Sequence, residues 1–183
     1  TDELIQVMKE EPKICHYLDL PIQHANDTIL KRMGRRTSKQ ELIDIVQKLR
    51  KEIPDICLRT TLITGFPGET QEQHEEVMEF IDTLEFDRLG AFTYSPEEDT
   101  LAATFEDQID EEVKEDRQAD IMELQQEIAF DKAEDMIGRE VLVMIEGKVA
   151  DENAYVGRTY RDAPNVDGLI FINTDVELIS GDF

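Results

Sequence analysis

Apolar positions fall into two rhythms along the first hundred residues. The stretch 14–22 reads as a buried strand, 56–64 is rich in β-branched Ile and Thr and reads as a second, and a third is expected over about 88–94. Between them the spacing turns helical. Leu42, Val46, Leu49 and Ile53 recur every three or four residues behind Ser38 and Glu41, the pair that makes a capping box. Val77, Phe80, Ile81 and Leu84 follow Thr70 and Gln73 in the same way. Thr1 to Glu11 reads as the end of a helix stopped ahead of Pro12. Strands alternating with helices predict parallel βαβ units, hence an α/β fold.

From Asp110 to about Ile137 one long helix is predicted. Its apolar side holds Ile121, Leu124, Ile128 and Phe130 to Ala133, and Gly138 stops it. Beyond it, 139–149, 155–159 and 168–174 are short strand signals split by polar turns, as in a small antiparallel β-barrel. The pattern breaks off at 181–183, and both ends of the sequence read as truncated. The expected domains are 1–105, 106–137 as an acidic connecting helix, and 138–183.

Charge sharpens this division. The 183 residues hold 43 acids against 19 Lys and Arg, a formal net charge of −24. Residues 1–100 are net −9, 101–133 net −8 and 134–183 net −7, so the middle segment reads as a solvated acidic helix. Nucleic-acid binders concentrate cations to displace phosphate counterions, and this chain does the reverse. It should attract a basic partner. No apolar run approaches the roughly 18 residues of a membrane span, and no signal peptide opens the chain. Cys15 and Cys57 cannot form a disulfide framework or, alone, a zinc site, which implies a reducing, cytoplasmic compartment. They read as small core residues.

Ligands of a parallel α/β barrel gather where strands end and loops begin. Those points are Gln23-His24, Gly65-Phe66 and Tyr94-Ser95. Alternation separates Leu58 and Leu62 from Arg59, Thr61 and Ile63, and Leu18 and Leu20 from Tyr17, Asp19 and Gln23. The polar sets are expected to point into the barrel together. Asp19 and Arg59 on adjacent strands then pair, either as a structural ion pair or as a site in which Arg59 faces a ligand carboxylate. Gly65 to Glu69 is either a tight turn or a place of close backbone approach to a ligand. His16, His24 and His74 lack metal-ligand spacing; His74 reads as solvated and His24 as a rim residue. No Walker loop, Rossmann fingerprint or Ser/His/Asp arrangement is present.

Four ordered strings carry a resemblance: YLDLPIQHANDTILKRMGRR (17–36), LRTTLITGFPGET (58–70), FDRLGAFTYSPEEDT (86–100) and GRTYRDAPNVDG (157–168). Together they resemble the radical SAM methylthiotransferases, over nearly the whole chain. The strings lie closer to the branch that modifies an aspartate of small-subunit ribosomal protein number twelve than to the branch that modifies adenosine in tRNA. The acidity of 134–183 agrees, because ribosomal proteins are basic.

The resemblance implies the C-terminal half of a partial (β/α) TIM-type radical SAM barrel followed by an incomplete TRAM β-barrel. It implies S-adenosylmethionine as cofactor and two [4Fe–4S] clusters in the full-length protein, held by cysteines that these residues do not supply. The 183 residues alone are therefore expected to be inactive. An open half-barrel also exposes strand edges that the missing N-terminal half of the chain would pair. The family pattern places Gly65, Ile63 and Phe66 near adenine, with Thr61 where a glycine is usual. It places Gln23 near ribose or amino-acid groups, Arg59 on the methionine carboxylate and Tyr94 on the rim near the base; in the ligand reading of the Asp19–Arg59 pair, Asp19 or Gln23 takes hydroxyls or an amine. The implied partner is a basic ribosomal protein, with no membrane and no direct nucleic-acid binding. The rival from another class is a non-catalytic acidic module that binds a basic protein.

Overall fold

The computed structural model describes all 183 residues. They form two compact units, Leu18–Asp135 and a second made of Thr1–Tyr17 with Met136–Phe183.

The larger unit is built on a sheet in the order β1 (Tyr17–Asp19), β2 (Cys57–Thr64), β3 (Arg88–Thr93). β2 and β3 run parallel, in the register Arg59 to Arg88, Thr61 to Gly90 and Ile63 to Phe92. Gln23 bridges Leu62 in parallel, prolonging the first strand's line. The strand expected over 14–22 is thus much shorter, and Ile14 is exposed.

Helices α2 (Asp27–Arg32), α3 (Lys39–Glu52) and α4 (Gln71–Leu84) connect the strands. Both capping boxes form: Ser38 with Glu41 opens α3, and Thr70 with Gln73 opens α4. The stripes read from the sequence, Leu42, Val46, Leu49, Ile53 and Val77, Phe80, Ile81, Leu84, are all buried. They share the core with Leu58 and Leu62 of β2, which are almost wholly buried. Burial alternates along β2, with Thr60 and Thr64 buried and Arg59, Thr61 and Ile63 half-exposed.

The long helix α5 (Glu111–Glu134) differs from its expected role as a solvated connector. It packs on β3, β2 and α4 and lies in the same unit as the sheet. Ile121 and Ile128 are buried there, but so are Lys114, Arg117 and Gln125, while Phe130 is exposed. A net negative charge masked a face whose buried positions include two cations.

The second unit joins α1 (Asp2–Glu10) to an antiparallel sheet of β4 (Met144–Lys148), β5 (Ala154–Arg158) and β6 (Ile170–Asn173). Tyr17 donates from its hydroxyl to Asp167 at 2.7 Å, linking the early and late segments of this unit. Instead of a small closed barrel, the sheet is open, in the order β4-β5-β6. The chain does return to β4: Ile145 N donates to Asp182 O, and Gly181 N to Ile145 O, each at 2.8 Å. Those last residues turn rather than extend, so no strand joins β6 to β4.

Candidate functional site

One face of the parallel sheet is covered by helices, and the other carries the residues of opposite parity. On that second face Arg59 Nη1 donates to Asp19 Oδ2 at 2.6 Å, so the pair expected from strand parity forms. The Asp19 carboxylate is about two-fifths exposed and Arg59 about one-fifth, so both remain within reach of solvent. Thr61, Ile63 and Gly90 are half-exposed on the same parity, and the ring of Phe92 is well exposed. Gly90 leaves room there: an added Cβ would lie 3.9 Å from Arg59 Nη2 and 3.6 Å from the Phe92 ring.

Gln23 ends the first strand's line with φ of 71°, a left-handed backbone rare outside glycine. Both of its backbone groups bond β2, N–H to Thr61 O and O from Ile63 N, each at 2.9 Å. The tip of β1 is therefore held while its side chain stays half-exposed.

Gly65 and Phe66 sit differently from a ligand-facing turn. Gly65 has φ of 67°, and its missing Cβ would meet Lys114 Cγ at 2.2 Å. The close approach it permits is to a lysine stem from α5. Phe66 is buried, edge-on to Tyr94 at 5.2 Å and to Phe105 at 6.3 Å. Tyr94 prolongs the ladder, its N–H donating to Thr64 O, and Lys114 Nζ donates to Tyr94 O at 3.0 Å. The Tyr94 hydroxyl is buried without a hydrogen-bond partner. Phe66, Tyr94 and Lys114 thus form the backing of the strand tips.

The same turn is clasped from outside. Gly68 N donates to Asp107 O at 2.8 Å, and Asp107 takes two bonds from Arg32. That guanidinium also stacks over Phe105 at 4.8 Å and holds the Asp107 carboxyl below the usual carboxylate range.

Behind the tips lies a buried polar cluster that strand parity does not reveal. Glu69 is 3% exposed. Its Oε2 accepts from Gly65 N at 2.9 Å and its Oε1 from Arg117 Nη1 at 3.0 Å. His24, expected on the rim, is buried, with Nε2 3.5 Å from Glu69 Oε2. His74 is likewise buried rather than solvated, 3.1 Å from Asp120 Oδ2 on α5. The cue for both histidines lay in carboxylates distant in sequence, not in their neighbours along the chain.

Residues 1–81 match the radical SAM superfamily model, and residues 137–183 match the TRAM domain model. The first 81 residues are thus similar to the radical SAM proteins. A relative from Lachnoclostridium phytofermentans, a ribosomal protein uS12 methylthiotransferase RimO, is 63% identical over 182 residues. Relatives of the same name from Desulfitobacterium hafniense and Clostridium novyi are 51% and 45% identical. Each alignment covers 100% of this chain but 41% of the relative, so the chain spans about two-fifths of their length. Among solved structures, the radical SAM enzyme coproporphyrinogen III oxidase (HemN) from Escherichia coli shares the fold. Its TM-score is 0.58 at 14% identity, covering 86% of this chain and 43% of that one.

The radical SAM match over residues 1–81 implies S-adenosylmethionine and iron–sulfur chemistry. The residues here do not fit a cluster. Cys57 is buried, Cys15 is exposed rather than in the core, and no group of three His, Cys, Asp or Glu is arranged for a metal. They do fit the polar ends of S-adenosylmethionine: a guanidinium, a carboxylate and a hydroxyl lie on one accessible sheet face, beside Ile63 and Phe92. No helix is long and apolar enough to cross a membrane.

Proposed function

We propose that this chain supplies part of the S-adenosylmethionine-binding wall, and the TRAM domain, of a methylthiotransferase acting on an aspartate of ribosomal protein uS12. The observation that carries this reading is similarity along the whole chain to relatives bearing that name, at up to 63% identity. When bound, S-adenosylmethionine supplies a hydrogen-abstracting radical for the aspartate β-carbon. The chain's residues bind and orient. Arg59 attracts the methionine carboxylate, and Asp19 holds the guanidinium while leaving an oxygen for the ammonium group. Gln23 and Thr61 offer polar contacts to the sugar, and Ile63 an apolar contact to the base. Gly65, Phe66 and Tyr94 act on this site from behind, by fixing the strand tips. Both clusters, in this reading, are held by cysteines elsewhere in the full-length protein, so the 183 residues alone are inactive.

The net −24 charge favours a basic protein substrate over tRNA. The test is anaerobic reconstitution of the full-length protein with S-adenosylmethionine and uS12, read by peptide mass spectrometry. A methylthio group on an aspartate supports the proposal, whereas methylthiolated adenosine in tRNA under the same conditions replaces the substrate. Loss of a charge-assisted bond in Arg59→Ala should weaken S-adenosylmethionine binding about tenfold or more. Unchanged affinity removes the carboxylate role.

A further inference from the structure

We infer that Glu69 is a positioning residue for this site, tying the tips of β1 and β2 to α5 through one buried carboxylate. The inference rests on the site reading above and concerns what holds that site in shape.

Both tips need holding. Gln23 and Gly65 take φ of 71° and 67°, and a non-glycine residue in that region persists only where its surroundings enforce it. Glu69 Oε2 is the oxygen the two tips have in common. It accepts from Gly65 N at 2.9 Å and lies 3.5 Å from Nε2 of His24, the residue directly after Gln23. His24 Nδ1 accepts from Asn26 N at 2.9 Å, so the neutral ring carries its proton on Nε2, toward the carboxylate.

The other oxygen reaches the helix layer. Arg117 Nη1 donates both to Glu69 Oε1 at 3.0 Å and to Glu69 O at 3.1 Å. Glu69 and Arg117 are each more than nine-tenths buried, so neither charge is stable there without the other. The Glu69 carboxylate accepts from Gly65 N at the β2 tip and from Arg117 on α5, and His24 Nε2 faces it at 3.5 Å. An ionised carboxylate suits all of them. A glutamine of the same size must turn its NH2 group toward one donor and give up that bond.

A brace that acted on stability alone would change the melting temperature and leave ligand affinity untouched. A positioning role changes both, because Gly65 and Gln23 lie at the ends of the strands that carry Arg59, Thr61 and Asp19.

The test compares the full-length protein with Glu69→Gln, at a temperature where both are folded. The readouts are S-adenosylmethionine binding by equilibrium dialysis and amide exchange over residues 65–69. The variant should bind about tenfold more weakly, as expected when one buried hydrogen bond is broken, and exchange faster at Gly65. Wild-type affinity in a folded variant with a lowered melting temperature overturns the inference. Should Glu69→Gln fail to fold, Arg117→Lys keeps the cation but not the double bond to Glu69 Oε1 and O. It should weaken binding several-fold, and unchanged affinity there overturns the inference equally. If the wild-type protein itself does not bind S-adenosylmethionine, the site reading fails. The brace is then judged by exchange at Gly65 alone, where equal rates in wild type and variant overturn it.

Discussion

Gly65→Ala tests the packing of the turn behind the candidate site most directly. Two costs arise. At φ of 67° an L side chain costs about 1–2 kcal/mol. The new Cβ would also sit 2.2 Å from Lys114 Cγ and 3.0 Å from its Cβ, near the root of the side chain. Lys114 cannot swing away freely, because its buried stem ends in bonds to Tyr94 O and Glu111 Oε2, each at 3.0 Å. Displacing it sacrifices at least the Tyr94 bond, about 1 kcal/mol, with some loss of packing besides. The total is about 2–4 kcal/mol, and at about 2–4 °C per kcal/mol the melting temperature falls by on the order of 10 °C. A double-mutant cycle with Lys114→Ala, followed by urea unfolding and circular dichroism, separates the two costs. In the Lys114→Ala background the clash with Cγ and the lost Tyr94 bond drop out, leaving the backbone cost and the 3.0 Å approach of the two Cβ atoms, and giving a coupling of about 1–2 kcal/mol. Additivity to within about 0.5 kcal/mol would show that Lys114 does not require glycine here.

Two further predictions concern ionisation and thiol access. Burial tends to raise the Glu76 carboxyl, but bonds from Asn26 Nδ2 at 2.6 Å and Lys39 Nζ at 2.9 Å outweigh it, so it titrates below its ordinary 4.5. A lowered folded-state value stabilises above 4.5, and that stability is lost as pH falls through the folded value. Glu76→Gln should therefore close its stability gap to wild type on acidification. A gap that stays constant between about pH 6 and about pH 3 contradicts this. A disulfide exchange reagent should modify exposed Cys15 quickly and buried Cys57 only on unfolding, and two fast thiols would refute the burial of Cys57.

Local rules made much of this fold legible before any coordinates. Ser38 and Thr70 announced helix starts through neighbours three residues on, and the same spacing marked Leu42 to Ile53 and Val77 to Leu84 as core. Alternation on two strands sufficed to pair Asp19 with Arg59 across forty residues. What escaped was polar burial. Lys114 and Arg117 stand among nine acids from Asp110 to Asp131, and counting charge along the helix hid that these cations face inward. Their reason for doing so, Glu69 and the Tyr94 carbonyl, lies far away in sequence. The family pattern set Phe66 near adenine, and strand parity gave no sign that Tyr94 and Phe105 flank its ring. Closure of the late strands depends on how the last residues turn, which composition does not encode.

The helix Asp2–Glu10 shares a unit with Met136–Phe183, although residues 18–135 intervene. The sheet-bearing unit is thus an insertion within the other in chain order. Before it collapses, uniting the outer segments means closing a loop of more than a hundred residues, an entropic toll that grows with the logarithm of length. Once the insertion folds, that loop becomes a rigid span. Refolding should therefore proceed from the inside out, and a cut at residue 137 would separate one body from its own first helix.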